Sequence, residues 1–279
     1  MVTKNNDSLD VRFSYAGPKT NRVLLISDLH ADSIKANTSR LKAHLNEALK
    51  GGHYVFIFGD VLDLMGHDRD PRSGKSDISK SLSETDYFDR VIKEALEFFA
   101  PYASVIKLMA DGNHETNVLA RHSTNILRRL VMELELKTGE KIHYGKSDGW
   151  VRFTLDIKGS AVRTKKLFYN HFNNGGKRSK GVLGADMRQA EIDADIFVTG
   201  HIHQKWSLPL KKLYLDKSGT EKAKRILHIQ LGTYKESGRG QWERTKGHYT
   251  AAIGGYWLDF VPVNNKSGYK IETRTVEAI

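Results

Sequence analysis

Asp28 and His30 stand two positions apart at the end of the apolar run Val23-Leu24-Leu25-Ile26, with Ser27 between run and acid. A carboxylate and an imidazole are the oxygen and nitrogen donors that divalent cations take. The same grammar recurs at Gly59-Asp60, Asn113-His114-Glu115, Asn170-His171 and Gly200-His201-Ile202-His203. Five of the 12 histidines fall inside these motifs, which scattered surface histidines do not explain. In extended backbone His201 and His203 turn both imidazoles to one face, so one segment can serve two adjacent ions. There is no cysteine, which excludes disulfides and thiolate ligation and leaves oxygen and imidazole as the only donors.

The elements that must hold these donors are strands. Val23 to Ile26, Tyr54 to Phe58, Val105 to Met109, Leu167 to Tyr169 and Ile196 to Val198 each read as a strand buried on both faces. Each delivers its polar residues at the carboxyl end, where ligands of an open α/β sheet sit.

The order DxH, GD, GNHE, H, GHxH resembles the calcineurin-like metallophosphoesterase family, over residues 23 to 203. The resemblance implies an α/β fold of four layers, two mixed β-sheets packed as a sandwich and flanked by helices. It implies two divalent metal ions bridged by Asp60, one taking Asp28, His30 and His203 and the other Asn113, His171 and His201. Manganese, iron and zinc all suit such mixed ligation, with manganese favoured. It casts His114 as the proton donor to the leaving oxygen, and Asp63, three residues after Asp60, as the acid that would hold His114 protonated. A water bridging the two ions would attack phosphorus in line, without a phosphoenzyme. Asp32 and Asp111 are candidates to orient the ligand histidines, or equally to cap turns.

The motifs span so much of the chain that residues 1–279 are expected to form a single domain, with residues 1–20 as a polar lead that is either loose or carries an edge strand over Val11 to Tyr15. Helices are expected from Thr38 to Leu49, from Asp86 to the stop at Pro101, from Asn117 to Leu136 and from Gly184 to Ile192. His44 and His53 read as surface histidines. Strands close the chain beyond Gln204. Residues 66–85 and 232–248 are polar connections expected to face the substrate.

No run approaches the roughly 18 apolar residues of a membrane span, and the N-terminus lacks an apolar signal core, so a cytoplasmic protein without membrane contact is expected. Net charge +11 and pI about 9.5 point to an anionic partner, nucleic acid or nucleotide, or simply to a basic surface. Lys177, Arg178 and Lys180, in the loop after His171, and Arg239 with Trp242 are the candidate substrate contacts. Phosphoprotein phosphatases of this superfamily carry arginines where this chain has Leu64 and Asp111, which lowers the fit to a phosphomonoester dianion. A phosphodiesterase acting on nucleic acid is therefore the leading expectation. A small-molecule or phosphoprotein phosphatase, a cyclic-nucleotide phosphodiesterase and a non-catalytic scaffold of the same fold are the alternatives.

Overall fold

The computed structural model describes residues 1–15, 19–66, 86–157, 162–171, 182–236, 251–265 and 268–279. The expected strands form and extend into two mixed sheets. The first contains β3 (Asn21–Ile26), β4 (Tyr54–Phe58), β5 (Ile106–Ala110) and β6 (His143–Gly145), with β12 (Tyr256–Asn265) and β13 (Gly268–Glu277) at one edge, in the order β13-β12-β3-β4-β5-β6. The second contains β1 (Val2–Asn5), β2 (Ser8–Tyr15), β7 (Asp148–Ile157), β8 (Arg163–Asn170), β9 (Ile196–Thr199), β10 (Trp206–Leu215) and β11 (Glu221–Gln230), in the order β1-β2-β7-β8-β9-β11-β10.

Strand parity explains the layering. Val23, Leu25, Phe56, Phe58 and Leu108 meet Val151, Phe153, Leu167, Val198 and Ile229 between the sheets. Leu24, Ile26, Val55, Ile57 and Met109 face the other way, toward α1 (Thr38–Gly51), α2 (Tyr87–Phe99) and α4 (Ile126–Thr138). A smaller apolar group, Phe197, Ala194 and Ile226 with Trp150, Phe168 and Ile192, lies on the far face of the second sheet, near α5 (Gly184–Glu191). Helices, sheet, sheet and helix are the four expected layers.

Three local readings change. Residues 1–20 are not a loose lead, because β1 and β2 join the second sheet and bury Leu9, Val11, Phe13 and Tyr15. The helix expected over 117–136 is two, α3 (Asn113–His122) and α4, separated where Ser123 takes a left-handed φ of 52° and Asn125 caps the second. His44 is buried, with Nδ1 2.6 Å from the Tyr234 hydroxyl, and His53 packs edge-on against Trp257. Among the described residues no helix is long and apolar enough to cross a membrane.

Candidate metal centre

β3, β4 and β5 of one sheet and β8 and β9 of the other end at the same pole. Hydrogen bonds between the loops lock their relative heights: Asp28 N–H donates to Gly59 O, His30 N–H to Asp60 O, and Gly200 N–H to Asn170 O. The loops turn abruptly there. Asp28, His30, Asp60, His201 and His203 all have φ between 47° and 79°, a left-handed region that costs a non-glycine residue about 1–2 kcal/mol. Strain of this kind collects at functional sites, where surrounding structure over-determines the backbone.

The seven sequence-derived donors come together. Asp60 Oδ2 lies 3.2 Å from His171 Nε2, 3.8 Å from His114 Nε2 and 3.9 Å from His30 Nε2. Asp28 Oδ1 lies 3.2 Å from His203 Nε2 and 3.8 Å from His171 Nε2. His201 Nδ1 is 2.7 Å from Asn113 Oδ1. Three sets place their donor atoms within 4.8 Å of one another: Asp28, His30 and His203; Asp60, His171 and His201; and His30, Asp60 and His114. The first two share no residue.

Close packing leaves no room for error in the loops. A Cβ on Gly59, whose φ is +90°, would fall 2.2 Å from His171 Nδ1, and one on Gly200 would fall 2.2 Å from Ser27 Oγ and 2.9 Å from Asp28 Oδ2. These two glycines let the motif backbones approach to contact distance.

The ring tautomers show what the cluster suits. The Phe58 carbonyl, 2.8 Å from His171 Nδ1, accepts that nitrogen's proton and turns Nε2 toward Asp60 and Asp28, where it has no hydrogen-bond partner. His30 sits comparably, its Nδ1 in close ion contact with Asp63 Oδ1 at 2.8 Å and its Nε2 turned to Asp60, neither nitrogen in an aligned hydrogen bond. Imidazole nitrogens and carboxylates brought this close are held by positive charge between them, a proton on the ring or a metal ion in its place, so the donor set fits divalent metal.

The electrostatics are correspondingly tight. Burial raises the Asp28 carboxyl, but His171 and His203 outweigh it and bring the pKa down to about 2. Burial likewise opposes ionisation of Asp60 and Asp63, and the neighbouring histidines win at both, with Lys235 adding to the pull on Asp63. His171 is pulled down by burial and pushed up further by Asp60 and Asp28, to about 10. Glu115, fully buried beside Asp60, is raised to about 8.

Asp63 stands in the cluster but on a different partner from the one expected. Its carboxylate contacts His30 Nδ1 and Lys235 Nζ, each at 2.8 Å, and stays 3.8 Å from His114 Nδ1. His114 Nδ1 is held instead by the Asp63 backbone carbonyl. Asp32 takes the capping role, accepting the N–H groups of Asp63 and Leu64, while Asp111 accepts the Tyr144 hydroxyl. Lys177, Arg178, Lys180, Arg239 and Trp242 lie outside the described residues.

Other residues of the site carried weaker signals. Glu115 accepts the N–H groups of Leu62 and Gly112 at 2.9 and 2.8 Å, clamping two motif loops together, and its place three residues after a helix cap is where such a side chain reaches back. Thr233 Oγ donates to Asp28 O at 2.7 Å, and Lys235 arrives from a loop 172 residues beyond Asp63. Nothing local to residues 232–236 foretells either contact.

A family model described as calcineurin-like phosphoesterase matches residues 21–205. No curated protein matches the sequence. Solved structures similar in fold include the calcineurin-like phosphoesterase YfkN from Bacillus subtilis, at 11% identity over 93% of this chain and 91% of that one, with a TM-score of 0.42. A metallophosphoesterase from Sphaerobacter thermophilus shares 13% identity over 92% and 88%, TM-score 0.35. GAP50, the anchor in the inner membrane complex of Plasmodium, shares 12% over 93% and 85%, TM-score 0.40. Likeness at this level says nothing of substrate.

Proposed function

Because the chain belongs to the calcineurin-like phosphoesterase family, we propose that it hydrolyses phosphodiester bonds, with nucleic acid or nucleotides as its substrate class and manganese as its working metal. The observation that carries the reading is the convergence of three imidazole Nε2 atoms on Asp60 Oδ2, with a second carboxylate, Asp28, facing Nε2 of one of these, His171, and of His203.

In this reading Asp28, His30 and His203 hold one ion, Asn113, His171 and His201 a second, and Asp60 serves both. Bound divalent cations would supply positive charge to the phosphoryl oxygens and acidify a water for attack. Asp63 turns His30, and the Phe58 carbonyl turns His171, so that each ring presents Nε2 inward. His114 is anchored at Nδ1 by the Asp63 carbonyl, which leaves Nε2 to carry a proton toward the leaving oxygen. One water is consumed: it gives up a proton to solvent, its oxygen bonds to phosphorus, the ester P–O bond breaks, and the departing oxygen takes the His114 proton, which solvent restores.

Preference for a diester over a monoester rests on what replaces the arginine clamp. Leu64 is buried and Asp111 is engaged by Tyr144, so neither position offers a guanidinium to a dianion. Net charge +11 supports a polyanionic substrate. The test is turnover, in manganese, of a panel containing bis(p-nitrophenyl) phosphate, p-nitrophenyl phosphate, single- and double-stranded DNA, RNA and cyclic nucleotides. Hydrolysis of the diester and of DNA or RNA is expected. Turnover of the monoester alone would overturn the diester reading, and turnover of cyclic nucleotides alone would overturn the polymeric one.

A further inference from the structure

A second cavity lies at the pole opposite the metal centre. β8 and β9 run toward the centre, so Lys165 and Ile196, near their starts, lie at the far end of the sandwich, and Leu227 of the parallel neighbour β11 pairs with Ile196 there. β13 brings Lys270 and Ile271 to the same place from the other sheet. Together they line a cleft of about 290 Å³.

Parity makes this cleft unusual. Lys165 shares its strand face with Leu167 and Tyr169, and Arg225 shares its face with Leu227 and Ile229, all four of which belong to the core between the sheets. Two cations therefore occupy core-facing positions, and Lys270 adds a third at the rim. Of the two acids in the lining, Asp195 is engaged with Lys224 at 3.0 Å and with the Lys166 N–H, while Glu272 pairs with Arg274 at 2.9 Å and lies within electrostatic reach of Lys270 and Arg225, so that the three cations exceed the one acid that faces them. Arg225 Nη1 donates to the Thr273 carbonyl at 3.3 Å, leaving the rest of its fork unused. Among the described residues no ion pair engages Lys165, Arg225 or Lys270. The floor is apolar, formed by Ile196, Leu227 and Ile271.

We propose that this cleft is a second ligand site, which takes a small organic phosphate: the phosphate on Lys165, Arg225 and Lys270, the apolar part on Ile196, Leu227 and Ile271. A guanidinium fork with two ammonium groups is the donor set that phosphate oxygens match. The volume lies at the small end of the range for ligand pockets, about 300–1,000 Å³, which suits a molecule of few atoms rather than a polymer. Among the described residues the lining contains no histidine and no acid or base beside the Thr273 hydroxyl that would activate it, so the ligand is expected to bind without reacting. The inference does not depend on the chemistry proposed for the metal centre.

The test is equilibrium dialysis of the whole protein against phenylphosphonate, which has no ester to hydrolyse, and against inorganic phosphate, each in EDTA and in manganese. One equivalent of phenylphosphonate should remain bound in EDTA, more tightly than phosphate. Lys165→Gln and Lys270→Gln should each weaken it about tenfold, the usual worth of one hydrogen bond to a charged group, and His201→Ala should leave it unchanged. Lys270 is exposed at the rim, so its replacement does not threaten folding. Binding that vanishes in EDTA, or that the Lys270 variant leaves intact, would overturn the proposal. So would unaltered variants that merely gain stability, since the cations would then only shield the open end of the sandwich. Displacement of phenylphosphonate by a ten-nucleotide DNA, with the same variants losing DNA affinity, would make the face a nucleic-acid surface instead.

Discussion

Replacing Asp63 by Asn separates two roles that its position allows. The carboxylate is almost fully buried, 2.8 Å from His30 Nδ1 and 2.8 Å from Lys235 Nζ, and 3.8 Å from His114 Nδ1. Asn keeps the shape and the backbone carbonyl that holds His114, and removes the charge that fixes the His30 proton on Nδ1. Loss of such an outer partner costs metal affinity about 10–100-fold, or about 1.4–2.7 kcal/mol at one ion. The ion lost first should be the one held by Asp28, His30 and His203. Manganese binding measured by dialysis and metal analysis gives a readout independent of turnover, and rates on diesters of graded leaving-group pKa give the other. The expected result is weakened metal binding, with activity restored at saturating manganese and an unchanged leaving-group dependence. Unaltered metal affinity together with a selective loss on poor leaving groups would refute this reasoning, because Asp63 would then act through His114.

Three other outcomes follow from the same geometry. His114→Ala should slow a diester with a poor leaving group by about 10²–10⁴-fold and an activated aryl diester far less; equal losses would remove His114 from the acid role. Chelation should release about two ions per chain on the proposed assignment and lower the melting temperature, because bound metal stabilises the native state by mass action; calorimetry with metal analysis checks both. His44 is held neutral by burial, with its pKa brought down to about 4. The unfolded chain therefore takes up this proton first as pH falls below about 6.5, and the contribution to stability declines from there until pH 4, by on the order of 1–2 kcal/mol at pH 5. His44→Gln should flatten the difference between urea midpoints at pH 7 and pH 5, and parallel profiles for the two proteins would contradict it.

The strands that build the site were legible because each is a short apolar run that ends abruptly in donors, and both properties are local. The same is true of α1, where Asn37 caps the start and Gly52 takes the left-handed turn at the end. The break between α3 and α4 was not, since Ser123 is no strong helix breaker and its φ of 52° answers to packing rather than propensity. β2 stood open between a loose lead and an edge strand, because alternation of Leu9, Val11, Phe13 and Tyr15 with polar residues means a strand only when a partner sheet covers one face. His44 looked like a surface residue because the helical period says which stripe is buried, but not that Tyr234, 190 residues away, arrives to cover its edge.

Donor types, their order and the chemistry they suit were properties of the sequence alone, because motif spacing and strand period are set along the chain. The partnership of Asp63 with His30 and Lys235, the orientation of His171 by the Phe58 carbonyl and the cations at the mouth of the far cleft were decided only on folding. Each depends on the distance between atoms from strands of different sheets or from distant loops. That distance follows from how the sheets stack and how the loops turn, which are sums over the whole core and are written in no single segment.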